Sequence, residues 1–137
     1  FVVGSSMGGF FASCLAERYA SFGLGAGVSA VLINPAVSPD RGLDKWLGEN
    51  SNYHSGETWL FEKHHIDEYQ RWDPAAIKNT NNYLVLLQSG DQVLDYRDAQ
   101  IRYQGCSIVT EEGGDHSFIH YEQHLADIHQ FLTSTQV

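Results

Sequence analysis

The sequence predicts an α/β protein with a mainly parallel sheet and flanking helices. Two continuous apolar runs, at 30–33 and 83–87, are typical of parallel strands that are buried on both faces. A third run, rich in β-branched residues, follows at 107–110. Segments in which apolar residues recur at helical spacing separate and follow these runs. Strands that alternate with helices in this way indicate a parallel sheet covered by helices.

The chain opens on a strand, a sharp turn and a helix. Residues 1–3 form a short aromatic and β-branched run that ends at Gly4, and a glycine-rich turn follows. Four apolar side chains then recur at spacings of four, four and three residues: Phe11, Leu15, Tyr19 and Phe22. This periodicity predicts a helix that packs these four side chains on the sheet, with Glu17 and Arg18 on its opposite side.

The rest of the chain divides into an insertion and the closing elements. Residues 38–82 are polar with interspersed aromatics, and we interpret them as a cap-like insertion of helices and loops over the sheet. Residues 95–104 are predicted to be helical. A last amphipathic helix is predicted from four apolar residues: Tyr121, Leu125, Ile128 and Leu132. The 137 residues suit one domain with a single core.

The composition disfavours several classes of function. The 17 acidic residues outnumber the 8 basic ones and give a formal charge of −9, so the field of the protein repels nucleic acid and anionic lipid. No apolar run approaches the roughly 20 residues that a membrane-spanning helix needs. Cys14 and Cys106 fit neither a disulfide framework nor a zinc site, and we expect both to be small core residues of a cytoplasmic protein.

Residues 4–8, Gly-Ser-Ser-Met-Gly, match the nucleophile-elbow pattern G-x-S-x-G of α/β-hydrolases. The pattern requires a strand before the serine and a helix after it, and both are predicted here. Glycines on either side let the strand and helix approach closely, while the strained turn exposes the hydroxyl of Ser6. Phosphate-binding loops need G-x-G-x-x-G or G-x-x-x-x-G-K, and neither pattern occurs. Ser6 is therefore the candidate nucleophile, because Ser5 at the first x position points away from the apex.

A serine hydroxyl needs a base to remove its proton, and the base needs an orienting carboxylate. In α/β-hydrolases the chain order is serine, acid, histidine. His116 is the candidate base because its glycine-containing loop follows the strand at 107–110 and precedes the last helix. Asp91 directly follows the strand at 83–87 and is the candidate acid. Asp95 is the alternative, but a carboxylate in the first turn of a helix explains it more simply.

The other histidines do not predict a metal site. His120 and His124 are four residues apart, but Tyr121 occupies the place that the zinc motif H-E-x-x-H gives to glutamate. We interpret this pair as a solvated helix face. His64 and His65 lack a third ligand at a recognisable spacing. We predict neither a metal nor a cofactor.

Four segments together closely resemble the YqiA-like bacterial esterases. These segments are GSSMGGF at 4–10, NPAV at 34–37, GDQVLDYR at 90–97 and EGGDHSF at 112–118. The resemblance extends over nearly the whole chain. It implies an α/β-hydrolase that acts on acyl esters and is associated with acyl-CoA thioester cleavage. It also implies that Ser6, Asp91 and His116 are the catalytic triad.

The chain departs from this family at its front. The family begins with a first strand, an H-G-F type oxyanion loop and further elements before the elbow, which are not present here. We therefore interpret residues 1–137 as a single, N-terminally truncated domain, the C-terminal portion of an α/β-hydrolase fold. The backbone N–H of Met7 is predicted to be one oxyanion-hole donor, and the second donor is missing from this sequence.

Three functions are consistent with these residues. The leading hypothesis is a serine ester hydrolase for carboxylic esters of short to medium acyl chains, whose acyl-binding wall includes Trp46, Trp59 and Trp72. The second is an acyl-CoA thioesterase, which the scarcity of basic residues disfavours because the coenzyme is anionic. The third is a catalytically silent binding fragment, and the missing oxyanion loop motivates it.

The first strand also predicts association. In the complete fold the strand at 1–3 is an interior strand with neighbours on both sides, and one neighbour is missing here. An unpaired strand edge and uncovered apolar sheet faces favour association. We therefore expect a homodimer or larger assembly, in which a second copy or an unseen N-terminal segment covers this surface.

Overall fold

The computed structural model describes residues 1–22 and 27–134. The strands in chain order are β1 (Val2–Ser5), β2 (Ala30–Ile33), β3 (Gly48–Ser51), β4 (Thr58–Phe61), β5 (Tyr83–Gln88) and β6 (Ser107–Glu111). The helices are α1 (Met7–Ser21), α2 (Lys63–Trp72), α3 (Tyr96–Arg102) and α4 (Leu125–Ser134). Across the described residues, no helix is long and apolar enough to span a membrane. The chain forms two compact units, one from Phe1–Val37 and Pro74–Val137, the other from Ser38–Asp73.

The larger unit contains a four-stranded sheet in the order β1, β2, β5, β6, and all neighbouring strands are parallel. Every residue of the two central strands, β2 and β5, is buried. These strands are continuous apolar runs because helices cover both of their faces. The predicted α/β fold with a mainly parallel sheet is confirmed, and each predicted strand ends within two residues of its observed position.

Two apolar clusters hold the sheet between the helices. Leu32 and Val85 pack with residues of α1 and α3 on one face, whereas Val31 and Leu86 pack with residues of α4 on the other. Adjacent residues of each strand therefore point to opposite faces, as the pleat requires. Because the strands are parallel, their carboxyl ends meet at one edge of the sheet. The segments that follow β1, β2, β5 and β6 consequently converge there.

The prediction of which side of α1 faces the sheet is wrong. The four predicted core residues are instead exposed, at 44% for Phe11, 43% for Leu15, 46% for Tyr19 and 71% for Phe22. Small side chains, among them Ala12 and Ala16, face the sheet. The physical reason is the close approach of the helix to the sheet at its start, where a Cβ on Gly9 would lie 3.3 Å from the carbonyl oxygen of Gly4 in β1 and 2.7 Å from the Cβ of Pro35, just after β2.

Glu17 was expected to face solvent, but it is buried. Its carboxylate accepts hydrogen bonds from the hydroxyl of Tyr83 at 2.8 Å and from the N–H of Lys78 at 3.2 Å. Burial, together with this carboxylate, raises the pKa of Tyr83 above its ordinary range. A charged residue is stable on this face because buried donors satisfy it, and sequence periodicity does not reveal such donors.

The smaller unit, Ser38–Asp73, contains an antiparallel hairpin and a helix. β3 pairs with β4, and α2 follows them. We predicted only helices and loops in this region, and the observed hairpin therefore differs from the prediction. Its turn is set locally, because Asn52 Oδ1 accepts hydrogen bonds from the N–H groups of His54 at 2.8 Å and Ser55 at 3.0 Å. The assignment of residues 38–82 as one insertion stays a prediction.

Candidate active site

Ser6 occupies the turn between β1 and α1. Its φ of 54° and ψ of −123° lie outside the regions that L-residues ordinarily adopt. Backbone hydrogen bonds hold this conformation, because the N–H of Ser6 donates to the carbonyl of Ile33 at 3.0 Å and its carbonyl accepts from the N–H of Ala36 at 2.9 Å. A Cβ on Gly4 would lie 2.1 Å from the carbonyl oxygen of Gly8. The glycine in the motif therefore lets the strand and the helix meet at the serine.

Ser6, His116 and Asp91 form one hydrogen-bonded chain. His116 Nε2 lies 2.9 Å from Ser6 Oγ, and His116 Nδ1 lies 2.8 Å from Asp91 Oδ2. Because a carboxylate only accepts, Nδ1 carries the proton and Nε2 accepts from the serine hydroxyl. The side chain of Asp91 is 2% exposed and that of His116 is 23% exposed. The hydroxyl thus lies near the surface, with the carboxylate beneath it.

Asp91 is held by its own loop. Its Oδ1 accepts hydrogen bonds from the N–H groups of Val93 at 2.8 Å and Leu94 at 2.9 Å, which leaves Oδ2 for the histidine. Asp95, the alternative acid, instead caps α3, where its Oδ1 accepts from the N–H of Arg97 at 3.0 Å. In the structure, Asp91 is therefore the carboxylate that contacts the imidazole of His116, whereas Asp95 is the N-cap of α3.

The N–H of Met7 is the predicted oxyanion-hole donor. Met7 is the first residue of α1, and N–H groups in the first turn of a helix have no acceptor within the helix. Among the residues that the structure describes, no acceptor binds this N–H. The N-terminal end of α1 also carries the positive end of the helix dipole. This N–H is therefore a candidate donor for an anion beside Ser6.

Two buried amides near this site had no predicted role, although Asn34 begins the NPAV segment at 34–37. Asn34 and Gln88 are each 2% exposed, and both bind the backbone of the loop that carries His116. Asn34 Nδ2 donates to the carbonyl of Asp115 at 3.0 Å, and Gln88 Oε1 accepts from the N–H of the same residue at 3.1 Å. Their position in the sequence is the signal that could have identified them. Each amide follows the apolar residues of a central strand, and therefore lies at the carboxyl edge of the sheet, where functional residues collect.

The interpretation of His120 and His124 as one solvated helix face is wrong for His124. His124 ends a 3-10 turn before α4, is 8% exposed, and lies with its Nε2 2.9 Å from Glu111 Oε1. His120 precedes that turn, and its side chain is 65% exposed. The partner Glu111 comes from the end of β6, which helical spacing cannot indicate. Within residues 1–22 and 27–134, no cluster of three or more His, Cys, Asp or Glu side chains is arranged to hold a metal ion.

The remaining predicted residues divide between the two units. Trp46, Trp59 and Trp72 lie in the smaller unit and are 54%, 49% and 42% exposed. Cys14 is buried in α1 as predicted, whereas Cys106 is only half-buried. Burial, with a smaller effect from a nearby carboxylate, raises the pKa of the Cys106 thiol to about 11. This thiol is protonated at neutral pH and is no rival to Ser6 as nucleophile.

The parallel sheet and the strained serine between a strand and a helix define an α/β-hydrolase fold. The sequence also matches the uncharacterised protein family UPF0227 over residues 1–133. The chain belongs to this family, which is the YqiA-like family that its motifs resemble.

Solved structures of esterases share this fold. Est1E from Butyrivibrio proteoclasticus is 14% identical with a TM-score of 0.64, and the match covers 98% of this chain and 60% of that one. Est1E with bound ferulic acid matches at 16% identity and a TM-score of 0.63, over 98% of this chain and 59% of that one. The esterase domain of a Rhodothermus marinus protein is 16% identical with a TM-score of 0.57, over 96% and 58%. This chain therefore spans less than two thirds of these structures.

Proposed function

We propose that this chain is a serine ester hydrolase. Ser6 attacks the acyl carbon of the ester, His116 accepts the serine proton and returns it to the leaving alcohol, and Asp91 holds the imidazole in the required tautomer. Water, activated by the same imidazole, then releases the acyl group from the serine. The observation that carries this proposal is the hydrogen-bonded chain from Ser6 Oγ through both ring nitrogens of His116 to Asp91.

The surroundings of Ser6 support the same chemistry. Attack of the hydroxyl places negative charge on the carbonyl oxygen of the ester, and the N–H of Met7 is the donor that we assign to this oxygen. One such donor is worth about 2.7–4 kcal/mol of transition-state stabilisation. The strained conformation of Ser6 is held by backbone bonds on both sides, so the nucleophile does not need to reorganise during the reaction.

Hydrolysis of p-nitrophenyl butyrate by the purified protein tests this proposal. Ser6→Ala removes the nucleophile and is expected to lower kcat by about 10⁴-fold or more. Ser5→Ala is the matched control, because it removes a hydroxyl one residue away and should keep kcat close to the wild-type value. Equal rates for wild type and Ser6→Ala would reject the proposal.

For the substrate, we propose carboxylic esters of short to medium acyl chains. The net charge of −9 opposes the binding of an anionic coenzyme, which places acyl-CoA second. Trp46, Trp59 and Trp72 are proposed to bind the acyl group, because about half of each side chain is exposed and offers aromatic surface. Paired kinetics on p-nitrophenyl butyrate and palmitoyl-CoA should give the higher kcat/KM for the ester. The reverse order would favour a thioesterase.

We also propose that the side of the larger unit formed by β1 and the outer face of α1 is covered in the assembled protein. Among the described strands, β1 pairs with β2 alone, and Phe1 and Val3 are 71% and 47% exposed. A second copy of the chain, or a segment that precedes it, is the proposed cover. Light scattering combined with intact mass tests this. A soluble, active monomer of 15.3 kDa would contradict it.

A further inference from the structure

We propose that Asn34 and Gln88 are positioning residues for His116, an inference that rests on the proposed function. Their side-chain amides hold the loop at 115–119 in the conformation that places the imidazole between Ser6 and Asp91. We call this pair the amide clamp. Neither residue touches the reacting atoms, so their effect on the reaction passes through the histidine.

Gln88 binds both ends of the loop. Its Oε1 accepts hydrogen bonds from the N–H of Asp115 at 3.1 Å and from the N–H of Ile119 at 3.0 Å. Its Nε2 donates to the carbonyl of Ile119 at 2.9 Å and to Glu111 Oε2 at 2.8 Å. The carboxylate of Glu111 fixes which end of the amide is the donor, because a carboxylate cannot donate. One side chain therefore sets the distance between the two ends of the loop.

Asn34 supplies the complementary contacts. Its Nδ2 donates to the carbonyl of Asp115 at 3.0 Å and to the carbonyl of His116 at 3.3 Å. Its Oδ1 accepts from the N–H of Gln88 at 2.9 Å, so the two halves of the clamp are bonded to each other. Asp115 is thus bound through its N–H by one amide and through its carbonyl by the other. Asn34 also binds the backbone of His116, the candidate base, directly through the carbonyl of that residue.

The loop needs such support because its backbone is not in an ordinary conformation. Phe118, within the loop, has a φ of 63°, and a bulky residue with positive φ is strained. Gly113 and Gly114, just before the loop, have φ values of 77° and 74°, which glycine adopts readily. A Cβ on Gly114 would lie 2.1 Å from Gln88 Oε1, so the loop is packed directly against the clamp. Both amides are 2% exposed, which keeps water from replacing these hydrogen bonds.

Two isosteric substitutions test the clamp. Asn34→Asp puts a carboxylate oxygen opposite the two carbonyls that Nδ2 now binds. Gln88→Glu keeps the acceptor for the two N–H groups but puts a carboxylate oxygen opposite the carbonyl of Ile119 and the side chain of Glu111. Gln100→Glu is the matched control, because Gln100 is an exposed residue of α3 and its Nε2 donates to Thr110 Oγ1 at 3.1 Å rather than to the loop of His116.

We expect each clamp variant to lower kcat for p-nitrophenyl butyrate by about 10–100-fold with KM nearly unchanged, since a displacement of about 1 Å in a catalytic group has an effect of this size. The downfield NMR resonance of the His116 Nδ1 proton should shift or disappear in both variants and persist in Gln100→Glu. A purely structural role would instead lower the melting temperature and leave kcat and this resonance unchanged below it.

Unchanged kcat and an unchanged resonance in folded clamp variants would overturn this inference. If a charged variant does not fold, Gln88→Met takes its place, because it keeps the side-chain volume without adding charge, and the same two measurements decide. Failure of the proposed function is distinguishable, since the wild-type protein itself would then show no hydrolysis. An active wild type with equally active variants rejects the clamp alone.

Discussion

Two histidine–carboxylate hydrogen bonds in the larger unit have nearly equal lengths, but their surroundings differ. His116 Nδ1 lies 2.8 Å from Asp91 Oδ2, and His124 Nε2 lies 2.9 Å from Glu111 Oε1. Beyond the first pair, the second ring nitrogen meets the hydroxyl of Ser6. Beyond the second pair, the other carboxylate oxygen meets the amide of Gln88. The length of the pair therefore does not identify a candidate base. The neighbouring group does, because His116 also contacts a hydroxyl, whereas the His124–Glu111 pair continues to a side-chain amide.

The largest expected difference comes from removing each imidazole in turn. His116→Ala should lower kcat for ester hydrolysis by about 10⁴-fold or more, because it removes the ring nitrogen that we propose to accept the serine proton. Its partly exposed side chain should allow the fold to persist. His124→Ala should change kcat far less and instead reduce the free energy of unfolding by about 1–3 kcal/mol, since a buried hydrogen bond loses its donor. Steady-state kinetics and urea unfolding measure the two effects.

An equal loss of kcat in the two histidine variants would break the distinction between the pairs. An undisturbed near-ultraviolet circular dichroism spectrum should accompany each measurement, so that loss of folding is not taken for loss of a base.

The next largest difference is expected between the two carboxylates that follow β5. Asp91→Asn should lower kcat by about 10⁴-fold, because the amide favours the wrong tautomer of the imidazole. Asp95→Asn should be mild, since asparagine also caps helices well. Kinetics of both variants with p-nitrophenyl butyrate measure this. The assignment of the acid is wrong if Asp95→Asn is the more damaging change.

A smaller effect is expected from Glu111, and it depends on pH. The hydrogen bond from Gln88, with a further contribution from His124, lowers the pKa of Glu111 below its ordinary value. Because the pKa of Glu111 is lower in the folded state than in the unfolded state, its ionised carboxylate stabilises the fold above about pH 4.3. This stabilisation is lost as the pH falls through the folded-state pKa. Glu111→Gln should therefore flatten the decline in the free energy of unfolding at acidic pH.

Urea unfolding of wild type and Glu111→Gln from about pH 6 to pH 3 measures this slope. Glu112→Gln is the control, because it removes an exposed carboxylate from the neighbouring position. Parallel curves for wild type and Glu111→Gln would contradict a lowered pKa of Glu111 as the source of this pH dependence.

Local patterns were sufficient to predict the sheet and the three residues of the hydrogen-bonded chain. The buried strands β2 and β5 are continuous apolar runs, and Ser6 lies in a short motif whose flanking elements are visible in the sequence. Asp91 and His116 could be predicted because parallel strands bring their carboxyl ends together. Each of these inferences needs only neighbours along the chain and one general property of the fold.

Other features depend on partners that are distant in sequence. Asn34 binds the backbone of Asp115, 81 residues away, and no motif records such a contact. The wrong face of α1 has a related cause, because periodicity assigns large apolar residues to the core. Here the close approach of the helix to the sheet selects Ala12 and Ala16 instead. Sequence patterns report hydrophobicity, whereas the space between packed elements is a property of the folded chain.

Labelling with a fluorophosphonate tests the central claim most directly, because the reagent reacts with a serine only when a base and an oxyanion donor activate it. Intact mass should show one adduct per chain of wild-type protein, and peptide mapping should place it on Ser6. The same adduct should be absent in Ser6→Ala and strongly reduced in His116→Ala. Absence of labelling in the folded wild-type protein at every pH would contradict the account and favour a catalytically silent binding fragment.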